Sequence, residues 1–345
     1  MKTAIFAYSR QGCLTAERVT ANLPDGENRK FAPDRFAEAG FSSITKPAEP
    51  FYGEQFIWAD ALIFIGALGV AVREIAPHIR SKTTDPAVLC IDELGKFVIP
   101  LLSGHIGGAN KLAQELADRL NAQAVITTAT DINGRFSVDS WAVQHDFLLS
   151  DISLAKEVSA AILEHDIPLC SSLPIVTDLP NGLILSDTGE IGIYIGWKEL
   201  NPFQKTLRII PKVLHLGIGC RRGIDCESIQ KAISEVFARE NIDKRAVKCI
   251  SSIDLKSDEE GLLEYSRAEN LPIRFYSAEE LQTVPGSFSG SDFVKKVTGV
   301  DNVCERAAMI GAEKMIISKT ALNGVTIAVA AERKEVCFEI GRAHV

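Results

Sequence analysis

The chain has 345 residues, 46% hydrophobic and 24% charged, with a formal net charge of −8 at neutral pH. That length exceeds one core of usual size, so two or three domains are expected, and the apolar content suffices to bury them. The acidic balance excludes a general nucleic-acid binder, which needs a basic face, but not an anionic small substrate held by a local basic cluster.

Residues 2–9 read as a first strand rather than a secretory segment, and 14–23 as the helix after it. Residues 24–58 are polar and carry few strong signals. A buried strand at 61–65 ends in Gly66-Ala67-Leu68-Gly69 and passes into a helix over 70–79. The longest apolar stretch, 59–72, is broken by Asp60, Gly66 and Gly69 and is shorter than the ~20 residues a bilayer span needs. Strands at 87–91 and 96–102 flank the turn Asp92-Glu93-Leu94-Gly95. Next come Leu101-Leu102-Ser103-Gly104-His105-Ile106-Gly107-Gly108-Ala109-Asn110 and a helix whose Leu112, Ala113, Leu116, Ala117 and Leu120 share one face. A strand follows at 124–128.

From about Asp131 the texture changes. A helix begins at 139–143, an amphipathic helix covers 154–165, and short strands fall at 167–171, 182–185 and 191–196, before a connector near Asn201-Pro202. A third region opens with the apolar run 212–216, then Gly217-Ile218-Gly219-Cys220-Arg221-Arg222-Gly223 and a helix through Ile229, Ile233 and Phe237. Further elements fall at 247–250, 259–269, 273–276, 303–311, 314–318 and 325–330, and the last five residues, 341–345, read as a frayed end. Strands alternating with helices imply mainly parallel sheets. The expected fold is α/β: two doubly wound α/β domains, residues 1–132 and 212–340, joined by a small α/β middle region, 133–211. The eight cysteines are scattered with no C-x-x-C pair, so neither a zinc site nor a redox motif is indicated and a reducing cytoplasm is expected.

Three strand-end segments carry site-like chemistry. Gly66, Gly69 and Arg73 form one. The stretch 80–86 adds Arg80, Lys82 and Asp85, and the third segment supplies Ser103, Gly104, His105, Gly107, Gly108 and Asn110. Ligands of doubly wound sheets bind outside the carboxyl ends of strands, so these segments are expected to line one crevice. His105 alone among the histidines sits in a glycine-rich loop, either as an acid/base or as a hydrogen-bonding group that orients ligand or loop. His215 reads as a core residue; His78, His145 and His165 read as surface. Asp85, Asp92 and Asp131 are carboxylates near strand ends, where turn and cap roles compete with that of a base. Gly217 and Gly219 precede the paired Arg221 and Arg222, a combination suited to an anion, and Cys220 is either a thiolate there or a packing residue. Glu305 reads as part of a solvated helix face, with a place facing a domain cleft as the alternative. No segment matches a dinucleotide or Walker fingerprint.

These residues resemble a known family. Gly66-Ala67-Leu68-Gly69-Val70-Ala71-Val72-Arg73-Glu74-Ile75-Ala76-Pro77, Ser81-Lys82-x-x-Asp85-Pro86-Ala87-Val88, Asp92-x-x-Gly95 and the Leu101 to Asn110 stretch are similar, in order and spacing, to the amino-terminal domain of the CbiG cobalamin biosynthesis family. Leu216 to Gly223, Ser252-x-Asp254-x-Lys256-x-x-Glu259-x-Gly261 and Val303-Cys304-Glu305-x-Ala307-Ala308 resemble its carboxyl-terminal domain, which also stands alone as CobE. The resemblance implies a cobalt-precorrin-5A hydrolase of anaerobic vitamin B12 synthesis. Such an enzyme opens a δ-lactone and releases the two-carbon fragment at the C20 position as acetaldehyde, giving cobalt-precorrin-5B. It implies no organic cofactor and no metal held by the protein, since the cobalt belongs to the substrate. The partners it implies are that corrinoid substrate and other enzymes of the pathway, with no nucleic acid or membrane; a homodimer stays open. It assigns no catalytic set; His105, Asp85 and Asp92 are the candidates for proton transfer, and the two α/β domains are expected to hold the macrocycle between them. The alternatives are a non-catalytic tetrapyrrole carrier of the same pathway and a nucleotide-dependent enzyme using the Gly217 region.

Overall fold

The structure, a computed structural model, describes residues 1–36, 40–81, 84–105 and 107–338, with only the backbone of Asp292 and Phe293. Lys82, Ile106 and the final five residues, 341–345, lie outside the described residues. The chain divides into two compact units, Met1–Ser140 and Trp141–Val345. Among the described residues no helix is long and apolar enough to cross a membrane.

The first unit runs β1 (Lys2–Ala7), α1 (Arg10–Thr20), β2 (Glu27–Ala32), β3 (Ser42–Ser43), α2 (Ala48–Trp58), β4 (Ala61–Ile65), α3 (Leu68–Ile75), β5 (Ala87–Ile91), β6 (Phe97–Leu102), α4 (Ala109–Leu120), β7 (Gln123–Ala124) and α5 (Ala129–Ile132), and the division falls within α6 (Val138–Gln144). The strands form one sheet in the order β3-β2-β1-β4-β5-β6-β7. Every residue of β4 and β5 is buried, which is why both read as unbroken apolar runs. Helices α1 and α4 pack on one face through Ala16, Val19, Leu112, Ala113 and Leu116. Helices α2 and α3 cover the other through Phe51, Tyr52, Phe56, Ala71 and Ile75. That coverage of both faces makes the unit doubly wound.

The direction of β6 positions everything that follows. All neighbouring pairs are parallel except β5 and β6, which are antiparallel. Strands β6 and β7 therefore point opposite to the other five described strands. Residues 24–58, nearly silent in the sequence, hold β2, β3 and α2. In β2 only Phe31 and Ala32 are buried, and in α2 the exposed Ile57 interrupts the apolar stripe, so neither shows a clean period. Strand β7 is shorter than expected: Val125 still donates its N–H to the Val98 carbonyl, and the chain then leaves the sheet for α5.

The second unit holds two sheets. β8 (Phe147–Leu149), α7 (Ile152–Ala161), β9 (Ile167–Ser171), β10 (Leu183–Leu185), β11 (Ile191–Ile195) and β12 (Lys205–Pro211) build the first, ordered β10-β9-β11-β12-β8. β13 (Leu214–Cys220), α8 (Cys226–Glu240), β14 (Val247–Ile253), α9 (Glu260–Ala268), β15 (Ile273–Tyr276), α10 (Ala278–Thr283), α11 (Asp292–Thr298), α12 (Cys304–Met309), β16 (Lys314–Leu322) and β17 (Val325–Ala331) build the second, ordered β15-β14-β13-β17-β16. β13, β14 and β15 are parallel, while β17 runs antiparallel to both β13 and β16. Trp141 stacks on Phe147 and Phe338 and donates its indole N–H to the Cys337 carbonyl, tying the segment after β17 back to the first of the two sheets.

Candidate functional site

The Ser103–Asn110 loop leaves the carboxyl end of β6, and residues 128–131 leave that of β7. The two ends are neighbours because β6, α4 and β7 form a parallel βαβ unit. The loop is tightly folded. Ser103 takes a left-handed φ of 56° and Gly108 one of 79°. A Cβ at Gly107 would sit 2.3 Å from the Ser103 Cβ, and one at Gly104 would sit 2.7 Å from Asn110 Oδ1. These two glycines serve the packing of the loop on itself. The N-cap of α4 is Gly108, so neither Ser103 nor Asn110 caps the helix. Ser103 instead donates its hydroxyl to the Asp85 carbonyl at 2.9 Å. The Asn110 amide donates to Thr128 Oγ1 and Asp131 Oδ2, each at 2.8 Å.

His105 stands between carboxylates. Its Nε2 lies 3.1 Å from Asp131 Oδ2 and 3.3 Å from Thr130 Oγ1, and its Nδ1 lies 3.6 Å from Asp139 Oδ1. The bond from His105 holds the Asp131 carboxyl below its usual range, assisted by Asn110 and Thr128 against the opposing effect of burial. An ionised Asp131 orients the ring through Nε2, and Asp139 faces the other ring nitrogen. The arrangement can take up a proton and return it.

The other candidates separate by sheet end. Asp85 is on the His105 side, but its carboxylate accepts the N–H groups of Arg80 and Ser81 at 2.9 and 3.0 Å, and it is buried. It shapes the loop before β5 and the floor under Ser103. Asp92 closes the β5–β6 turn, accepting from the N–H groups of Leu94, Lys96 and Phe97. Gly66 and Gly69 follow β4 at that same end, and Arg73 lies in the last turn of α3. The expected single crevice is therefore overturned: a five-residue strand, roughly 15 Å long, divides Gly66, Gly69 and Asp92 from His105, while Arg73 lies part-way back along α3. Asp131 was visible in the sequence as a carboxylate past a strand, and its pairing follows from adjacent βα ends. Nothing local marked Thr130 or Asp139.

In the second unit, Gly217, Gly219 and Cys220 lie inside β13 rather than in a loop at a helix start. A Cβ at Gly217 would come within 1.9 Å of the Cys304 carbonyl of α12, and one at Gly219 within 2.5 Å of Thr326 Oγ1. Both glycines admit neighbouring elements. Burial pushes the Cys220 thiol up, against a thiolate role. Glu305 is buried, not solvated, and accepts the N–H groups of Ser289 and Lys319. His215 is a satisfied core histidine, while His78 and His145 are half-buried and His165 is exposed. Arg221 and Arg222 follow β13 and, with Cys220 and Gly219, line a cleft of about 770 Å³.

Comparison with known proteins places the chain in a family. Residues 51–131 match the family model described as Cobalamin synthesis G N-terminal, and residues 214–330 match Cobalamin synthesis G C-terminus. The cobalt-precorrin-5A hydrolase of Salmonella typhimurium is 33% identical over 339 residues, covering 94% of this chain and 96% of that protein. The enzyme of the same name from Priestia megaterium is 34% identical, covering 78% of each chain. Protein CobE of a Sinorhizobium species is 26% identical over 121 residues, 34% of this chain and 79% of CobE. Matched by the family's models in both its halves, and a third identical to a relative along almost its whole length, the chain belongs to the CbiG family of cobalamin biosynthesis proteins.

Proposed function

We propose that this chain is a cobalt-precorrin-5A hydrolase, opening the δ-lactone of its substrate and releasing the two-carbon fragment at the C20 position as acetaldehyde. Its role in cobalamin biosynthesis follows from the family; the reaction goes further. The observation that carries it is the His105 ring placed between Asp131 and Asp139 at the carboxyl ends of β6 and β7. The full-length relatives bearing the hydrolase name support it.

In the first step water adds to the lactone carbonyl and the ring C–O bond breaks, leaving a carboxylic acid and a hydroxyl on the two-carbon fragment. In the second step that hydroxyl loses its proton and becomes the aldehyde C=O. The bond joining the fragment to the macrocycle breaks, its electron pair passes into the ring, and the ring takes up the proton. One water enters and one acetaldehyde leaves. Both steps need a group that accepts a proton from oxygen and delivers one elsewhere, and an imidazole flanked by carboxylates is suited to both. Asp131 and Asn110 would hold the ring in place. The reaction calls for no organic cofactor, and cobalt enters with the substrate.

The test is incubation of the purified chain with cobalt-precorrin-5A, with acetaldehyde measured by coupled reduction to ethanol. Release at a rate that depends on His105 is the expected result. Tight binding without release would sink the hydrolase reading and leave a carrier of the same intermediate.

A further inference from the structure

The cleft beside Arg221 has about 770 Å³, inside the ~300–1,000 Å³ range of small-molecule sites. Ile253, Leu255, Val294, Val297 and Leu322 give it an apolar lining. Leu255 and Val297 leave 48% and 60% of their surface to solvent, an apolar exposure at the edge of a cavity that suits a partner with an apolar face. Arg221, Arg222, Lys256 and Lys319 also line it. Two of these cations are already neutralised. Arg222 pairs with Asp258, and Lys256 pairs with the buried Glu259 at 2.9 Å. Among the described residues no carboxylate lies within ion-pair distance of Arg221 or Lys319. The Arg221 guanidinium rests against Gly324, where a Cβ would meet its Nε at 2.2 Å, and Lys319 Nζ donates to the Ser289 carbonyl at 3.4 Å. Arg221 sits at the tip of the β16–β17 hairpin, its N–H on the Gly324 carbonyl, whereas Lys319 lies four residues before Asn323 on β16. Four residues of chain, roughly 13 Å of extended backbone, separate Lys319 from Asn323 at that tip, so the two cations enter the cleft from separate positions.

We propose that this cleft seats an acidic tetrapyrrole, its macrocycle against the apolar lining and two different pendant carboxylates on Arg221 and Lys319. The inference deepens the hydrolase reading and rests on it for the identity of the ligand. Arg221 suits a carboxylate through its planar fork and Lys319 through its point charge.

The probe is cobyrinic acid, a stable corrinoid with free carboxylates, compared with its heptamethyl ester by equilibrium titration of the full chain. The acid should bind at least tenfold more tightly than the ester. Arg221→Ala and Lys319→Ala should each weaken the acid about tenfold and leave the ester unchanged, while Val297→Asp should weaken both. With cobalt-precorrin-5A the two cation variants should raise KM rather than lower kcat, at an unchanged Tm. Equal affinity for acid and ester, or wild-type affinity in both cation variants, would overturn the proposal. Acetaldehyde release with unaffected cation variants removes the cleft and leaves the hydrolase. Cleft-dependent binding of the acid without any release removes the hydrolase and leaves the cleft.

Discussion

The His105 ring touches acidic side chains from two elements, Asp131 of α5 and Asp139 of α6, and that shared contact sets what single substitutions should do. His105→Ala is expected to lower kcat by about 10²–10⁴, the usual contribution of a positioned acid/base, with no more than the modest fall in Tm that loss of its bond to Asp131 brings; a near-normal kcat removes the residue from the mechanism. Asp131 adds a pH dependence of its own. Its carboxyl titrates below the ordinary aspartate value, so its contribution to stability is present above that value, near pH 4, and is lost as pH falls through the lower folded value. Asp131→Asn should therefore lower Tm modestly at neutral pH and flatten the loss of Tm below about pH 4; the side chain is 38% exposed, which keeps the effect small. Thermal scans from pH 2.5 to 7 give the answer. The sequence placed His105 in its glycine-rich setting correctly, but its partners come from chain more than twenty residues away, and no local pattern encodes them.

Glycines that look alike in the sequence do different work in their elements. Gly217 lies within β13 where α12 crosses, so a methyl group would strike the Cys304 carbonyl. Gly217→Ala is expected to cost about 1–3 kcal/mol in denaturant unfolding, because a helix backbone must move to make room. Gly69 lies in the first turn of α3, and no atom stands within 4 Å of the place an added methyl group would take. Gly69→Ala should be neutral or gain up to about 1 kcal/mol, since the helix keeps its geometry and the unfolded chain loses freedom. A destabilised Gly69→Ala together with a neutral Gly217→Ala would reverse the assignment of these roles. Elements were legible where burial was complete. β4 and β5 match their apolar runs end to end, as strands covered on both faces must. β2, β8 and α2 were not, because partial burial leaves no clear period.

Across the second unit, His215 links three parts of the chain. From the buried face of β13 it reaches the Ile310 carbonyl after α12 and the Glu332 carboxylate after β17, each at 2.9 Å. Burial pulls its pKa down, but hydrogen bonds to Cys249 and Glu332 outweigh that and leave it raised. Its contribution to stability is complete below its ordinary value near 6.5 and is lost as pH rises through the higher folded value. Burial pushes the Glu332 carboxyl up, yet bonds from Lys248 and His215 bring it below its ordinary value, so its contribution fades only toward acid. Tm should therefore decline as pH rises above the ordinary histidine value, and His215→Gln should lower Tm at pH 6 while removing that slope. A wild-type Tm that is flat from pH 6 to 9 would contradict the linkage.

Composition and apolar runs alone determined the α/β class, most strands of both units and the glycine-rich loop that carries His105, because burial leaves its mark residue by residue. Tertiary structure alone decided which strand ends meet. The antiparallel turn between β5 and β6 sends Ser103–Asn110 to one end of the sheet and leaves Gly66, Gly69 and Asp92 at the other. It also decided that Gly217 and Gly219 make room for α12 and Thr326 and not for an anion. The physical reason is that hydrophobic pattern records how deeply a residue is buried, whereas strand direction and close backbone approach depend on neighbours distant in the chain.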